Sequence, residues 1–136
     1  MNDLLSQLKA HSIIVADTGD FASLRKYQPR DATTNPSLLL KAAEMPEYSE
    51  LVGRVLTESR QGAAPASQTV SIALDRLAVA FGLEILKIVP NRVSTEVDAR
   101  LSFDREATLR KAREIIGMYD KAGIPREARR GRAAAT

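Results

Sequence analysis

Three polar residues stand where a parallel α/β protein would build a ligand site. Asp17 directly follows the apolar run Ser12-Ile13-Ile14-Val15-Ala16, Asn35 ends the stretch Asp31–Asn35, and Glu96 lies inside Val93–Val97. In such sheets ligands bind beyond the carboxyl ends of the strands, because loops and helix N-termini converge there. A carboxylate after an apolar strand is expensive to bury without a partner or a task. Asp17 and Glu96 are therefore candidate acid/base groups, whose proton affinity burial or a second carboxylate could raise. Asn35 offers a donor and an acceptor, which suits orienting a hydroxyl or carbonyl. Each also has a plainer use. Asp17 could form an Asx-turn with Gly19, Asn35 could cap the helix opened by Pro36, and Glu96 could pair with Arg92 or Arg100. His11, alone before a strand, reads as structural. No glycine-rich phosphate loop is present.

The elements that must position these groups alternate between strand and helix. Asn2 is a plausible N-cap for a short helix to Ala10, with Leu4, Leu5 and Leu8 on one face. Residues 12–16 form a β-branched run without alternation, as expected of a strand buried on both faces. A helical stretch from Phe21 to Tyr27 leads to a strand at 31–35, and Pro36 opens a helix to Ala43. Glu47–Arg60 continues helically through Tyr48, Leu51, Val52 and Val55. A longer helix starts near Ser67, with Val70, Leu74, Leu77, Ala78 and Phe81 on one stripe. Its end is ambiguous, since Leu83–Val89 fits helix or strand. Val93–Val97 alternates with period two, placing Ser94 and Glu96 on one face and Val93, Thr95 and Val97 on the other. Asp104 caps a helix whose inner face is Ala112, Ile115, Ile116 and Tyr119, and Gly123 sits at its left-handed C′ position. Three strands alternating with helices predict a parallel α/β sheet with helices packed outside.

The chain of 136 residues is too short for a complete eight-stranded barrel, which takes roughly 250. It has no Cys and a single His, which excludes disulfides, thiolate metal sites and multi-histidine metal sites. No apolar run reaches the ~18–20 residues of a membrane span, and no signal-peptide pattern opens the chain, so a cytoplasmic location is expected. The net charge of +3 is local. Residues 126–136 hold four Arg and one Glu, and residues 1–125 are balanced. This basic segment lacks aromatics and large aliphatics, so it reads as a solvated tail unable to make a fourth strand. Four charges without aromatic interleaving are a thin footprint for nucleic acid, so neither nucleic acid nor membrane is expected as a partner.

Three blocks resemble the transaldolase family. These are Val15-Ala-Asp-Thr-Gly-Asp20, then Asp31-Ala-Thr-Thr-Asn-Pro-Ser-Leu-Leu39, which matches its N-terminal signature without a gap, and Ile88-Val-Pro-Asn-Arg-Val-Ser-Thr-Glu-Val-Asp-Ala-Arg100. The likeness covers about residues 1–125 and divides the chain into the N-terminal part of a (β/α)8 barrel and a non-homologous basic tail at 126–136. It implies a cofactor-free aldolase-type centre of the pentose phosphate pathway. A lysine Schiff base there carries a dihydroxyacetone unit between sugar phosphates such as sedoheptulose 7-phosphate and glyceraldehyde 3-phosphate. By resemblance Asp17 is the acid/base of carbon–carbon cleavage, Glu96 acts through a water, and Asn35 and Thr33 bind substrate. The Schiff-base lysine is missing. Colinear counting puts its place near Arg132, and guanidinium stays protonated and is a poor nucleophile toward a carbonyl. Lys87, Lys111 and Lys121 are unconvincing substitutes, the first preceding the third strand region and the others on a surface helix. The abrupt change after Pro125 resembles a reading-frame shift, which the nucleotide sequence downstream of codon 125 would test. The expected product is an incomplete, inactive barrel, self-associating through exposed sheet edges, with a non-enzymatic half-barrel that assembles with a partner as the alternative.

Overall fold

Alternating runs become strands and 3.6-period runs become helices, the longest of which pack on one side of the resulting sheet. A computed structural model describes residues 3–62 and 65–133, without side chains for 66, 67 and 129–133. In chain order the elements are α1 (Leu4–His11), β1 (Val15–Asp17), α2 (Phe21–Tyr27), β2 (Asp31–Thr34), α3 (Pro36–Ala43), α4 (Ser49–Arg60), α5 (Ala66–Leu86), β3 (Arg92–Val97), α6 (Arg105–Lys121) and β4 (Arg129–Ala133). The strands form one parallel sheet in the order β1-β2-β3-β4. The α/β class and the three expected parallel strands are therefore present.

The reading of residues 126–136 as a solvated tail needs correction. Arg129–Ala133 pairs in parallel with β3, from Val93↔Arg129 to Val97↔Ala133. Strand propensity is weak beside the backbone partners that an existing edge offers, and here β3 supplies them. Residues 134–136 lie outside the described residues.

The core lies between the sheet's outer face and the helices. Ala32, Thr34, Val93, Thr95 and Val97 point into it, and Phe81 and Ile85 of α5 meet them. Phe21, Tyr48 and Phe81 form an aromatic cluster with ring centroids 4.5–5.6 Å apart, and the Tyr48 hydroxyl accepts from the Phe21 amide at 3.0 Å. Rings tilted or edge-on at such distances gain from their quadrupoles as well as from burial. The Thr95 and Tyr119 hydroxyls share a buried hydrogen bond of 2.8 Å. Burial pushes the Tyr119 phenol up to about 12. Gly82 lets α5 approach this pair, since a Cβ there would lie 1.9 Å from the Tyr119 oxygen. Asp31 ties β2 to β3 by accepting from the Asn91 side chain at 2.6 Å and the Arg92 amide at 3.2 Å.

Several local expectations shift. The α1 N-cap is Asp3, whose carboxylate accepts from the Ser6 amide, and Asn2 lies outside the described residues. β1 is not buried on both faces, because Val15 and Asp17 stand on the sheet's uncovered inner face. On α5 the helical reading of 83–86 holds, and Leu77, Ala78 and Phe81 are buried. Val70 and Leu74 are exposed instead. Asp104 caps α6 and Gly123 has φ +75, both as expected.

Candidate active site

Strand register, more than any local motif, assembles the candidate groups. Asp17, Thr33 and Ser94 are Cα partners across β1, β2 and β3, so they form a row on the inner face near the carboxyl ends. The Thr33 hydroxyl donates to Asp17 Oδ1 at 2.6 Å and lies 3.4 Å from the Ala16 carbonyl oxygen. Asn35 serves two ends at once. Its Oδ1 accepts from the Leu38 amide at 3.0 Å, which caps α3. That capping bond fixes the amide's orientation, so Nδ2 donates to Asp17 Oδ1 at 3.4 Å. Pro36 at the first helical position adds a fixed φ without losing a needed donor. Asp17 is exposed, and the Asx-turn reading gives way to contacts from β2. The turn after it closes instead through Thr18, whose hydroxyl accepts from the Asp20 amide. Among the described residues no donor reaches Asp17 Oδ2.

Glu96 stands two residues beyond Ser94 on the same face, half-buried, and lines a cleft together with Asn35, Pro36 and Asp98. Neither proposed ion pair forms. Arg100 clamps Asp98 through Nε, and this hydrogen bonding holds the Asp98 carboxyl below its ordinary value. Arg92 Nε donates to the Glu127 carbonyl at 2.9 Å. No described side chain hydrogen-bonds to Glu96. A deeper cleft of about 260 Å³ runs from Asn35 and Glu96 between α3 and α5, past Leu39, Leu74 and Asp75. His11 is exposed at the end of α1, away from these clefts.

The six lysines of the chain are all elsewhere. Lys87 pairs with Glu84, and Lys9 donates to the Tyr27 carbonyl. Lys26 stacks over Tyr27, and exposed Lys41 and Lys121 lie on α3 and α6. Lys111 lies on the expected surface helix, but its side chain is half-buried. It bridges Asp75 at 2.7 Å and Glu114 at 2.9 Å in the α5–α6 seam. Burial opposes its charge, yet the bonds and charges of those two carboxylates outweigh burial and hold its pKa above the ordinary lysine value. A lysine kept protonated cannot act as an amine nucleophile. The register Glu96↔Arg132 sets the Arg132 backbone beside Glu96 on β4. Its side chain lies outside the described residues.

Residue chemistry alone missed the Thr33–Asp17 bond and the Asp75–Lys111 pair. Both join residues far apart in sequence, and only strand register or helix packing brings them together. The i,i+3 spacing of Lys111 and Glu114 was the one visible signal.

A parallel α/β sheet with carboxylate, hydroxyl and amide groups gathered at its strand ends is the arrangement of a partial barrel, here with four strands. The chain belongs to the transaldolase/fructose-6-phosphate aldolase family, whose profile matches residues 14–128. It is 58% identical over 125 residues to a transaldolase of Trichormus variabilis, covering 90% of this chain and 38% of that protein. A Nostoc punctiforme transaldolase is 56% identical over 128 residues, covering 92% of this chain and 38% of the relative. One from Methylococcus capsulatus is 54% identical over 128 residues, covering 92% and 39%. The chain thus spans about 38% of the length of curated relatives it matches.

Proposed function

We propose that the chain carries the acid/base and hydroxyl-binding portion of a transaldolase centre and lacks its imine-forming group. Asp17 would move the proton during carbon–carbon cleavage and formation in a ketose phosphate. Thr33 and Asn35 aim two donors at one of its oxygens, which fixes the carboxylate's orientation and leaves the other oxygen for a substrate hydroxyl. Asn35 and Thr33 would also hold hydroxyls of a dihydroxyacetone unit, and Glu96 would work through a water during imine formation and hydrolysis. The substrates would be sugar phosphates, in keeping with a cytoplasmic location. In the complete centre that the family likeness implies, a protonated imine would be the electron sink, so no metal would be needed there.

The observation that carries this reading is the Asp17–Thr33–Asn35 cluster at the strand ends of a chain with family-level similarity. Arg132 beside Glu96 carries the prediction of inactivity, since a guanidinium does not form the imine. Purified chain is expected to give no covalent adduct when mixed with fructose 6-phosphate and borohydride and examined by mass spectrometry. A lysine adduct in good yield would overturn that conclusion.

A further inference from the structure

Asp17 and Asn35 meet across two elements, and a single glycine governs how closely those elements approach. Gly19 lies in the turn between β1 and α2, buried against α3. A Cβ there would stand 2.9 Å from the Ala42 Cβ and 3.2 Å from the Leu38 carbonyl oxygen. Its φ is not positive, so the turn calls for glycine through space and not through backbone conformation. We propose that Gly19 is a positioning residue for the Asp17–Asn35 pair. Its missing side chain sets the depth at which α3 docks on the turn, and α3 carries the Asn35 amide to Asp17. The inference rests on the role proposed above for that pair.

Leu38 is the link between the two. Its amide donates to Asn35 Oδ1 at 3.0 Å, while its carbonyl oxygen faces Gly19. The Asn35 carbonyl also accepts from the Leu39 amide at 3.0 Å, so Asn35 moves with the first turn of α3. Both ends of the β1–α2 turn are anchored. Asp17 is held in the β1–β2 ladder opposite Thr33. Asp20 caps α2 by accepting from the Ala22 amide and the Ser23 hydroxyl, and the Phe21 amide donates to the Tyr48 hydroxyl. A side chain at position 19 is therefore accommodated by α3. Carbon atoms pack best at about 3.5–4.0 Å, so from 2.9 Å the helix must retreat by roughly 0.6 Å. The Asn35 Nδ2 to Asp17 Oδ1 distance of 3.4 Å is already long for a hydrogen bond, and such a retreat ends it. The Thr33 bond of 2.6 Å is made within the sheet and survives. One donor of Asp17 thus rests on strand pairing, and the other on the space left by Gly19.

The test is a comparison of amide signals in nitrogen-15 labelled 136-residue chain. Asp17→Asn in the parent should shift both the Asn35 side-chain amide and the Thr33 backbone amide. In a Gly19→Ala background the Asn35 response to Asp17→Asn should fall at least about twofold, while the Thr33 response persists. Adding Ala42→Gly removes the opposing Cβ and should restore most of the Asn35 response. An undiminished Asn35 response in Gly19→Ala overturns the proposal, as does loss of the Thr33 response with it or no recovery on adding Ala42→Gly. If Gly19→Ala alone does not fold, the pairing with Ala42→Gly decides. A folded chain with the Asn35 response present supports the proposal, and an unfolded chain or an absent response overturns it. No sugar phosphate enters these measurements, so they stand apart from the borohydride test of function.

Discussion

The two faces of the same short strands behave as different proteins would. On β2 and β3, Ala32, Thr34, Val93, Thr95 and Val97 are buried under α5 and α6, whereas Asp31, Thr33, Ser94 and Glu96 between them stay partly open. Alternation with period two lets one strand build a core and a chemical site without a shared side chain. The core face is filled and hydrogen-bonded, so its substitutions should register as stability. The inner face holds the polar cluster on an uncovered surface, so its substitutions should register as ligand binding. Three substitutions test that division, taken from the greatest effect on stability to the least.

Gly82→Ala is the most damaging. Its new Cβ would lie 1.9 Å from the Tyr119 oxygen, so the ring must move and the Thr95 bond must break. Overpacking and the lost bond together cost about 3–4 kcal/mol, against about 1 kcal/mol gained in helix propensity. A net loss of about 2–3 kcal/mol should appear as a lower urea midpoint. Adding Tyr119→Phe removes the colliding oxygen, so the double variant should lose less than the two single losses together. Strict additivity would show that the close approach does not matter.

Lys111→Met tests the rim between core and solvent. Burial raises the Asp75 carboxyl above its ordinary value, and the Lys111 hydrogen bond and charge pull it down. Without that lysine the carboxylate is left half-buried and unpaired, at a cost of about 1–2 kcal/mol at neutral pH. A carboxyl whose folded pKa lies above its unfolded value destabilises the fold as pH rises through that folded pKa. The deficit of the variant should therefore be small below the ordinary value of 3.8 and grow as pH rises. Above the raised Lys111 pKa the parent loses its own cation, and the deficit should shrink again. Urea midpoints of both proteins across pH give the comparison; a pH-independent deficit would mean that the pair contributes only packing.

The same division explains what could be read from residues alone. The period-two pattern of Val93–Val97 separates the faces correctly, because each residue's own polarity decides its side. Capping by Asn35 and Asp104 follows from their side-chain chemistry. β1 misleads because Ile13 and Val15 look like core, while the surface that would bury them is not part of this sheet. β4 misleads in the opposite way. Arg129–Ala133 has no strand-forming side chain, and its conformation comes from backbone pairing with β3. Asp17 was recognisable as a candidate from its place after an apolar run. Its two donors were not, since Thr33 and Asn35 reach it only through the β1–β2 register.

Asp17→Asn therefore sharpens the comparison by what it leaves unchanged. The carboxylate is exposed and its hydrogen bonds are to Thr33 and Asn35 on the open face, so stability should move by less than about 0.5 kcal/mol. An asparagine oxygen can still accept from Thr33, so the local geometry survives. What is lost is the negative charge and the basic oxygen that no described donor occupies. Chemical-shift changes produced by fructose 6-phosphate at the Thr33 and Asn35 amides should weaken or vanish in this variant, while the Val93 and Val97 amides report an intact core. Loss of the core signals would place Asp17 among the residues that hold the fold, and the separation of the two faces would fail at its most exposed point.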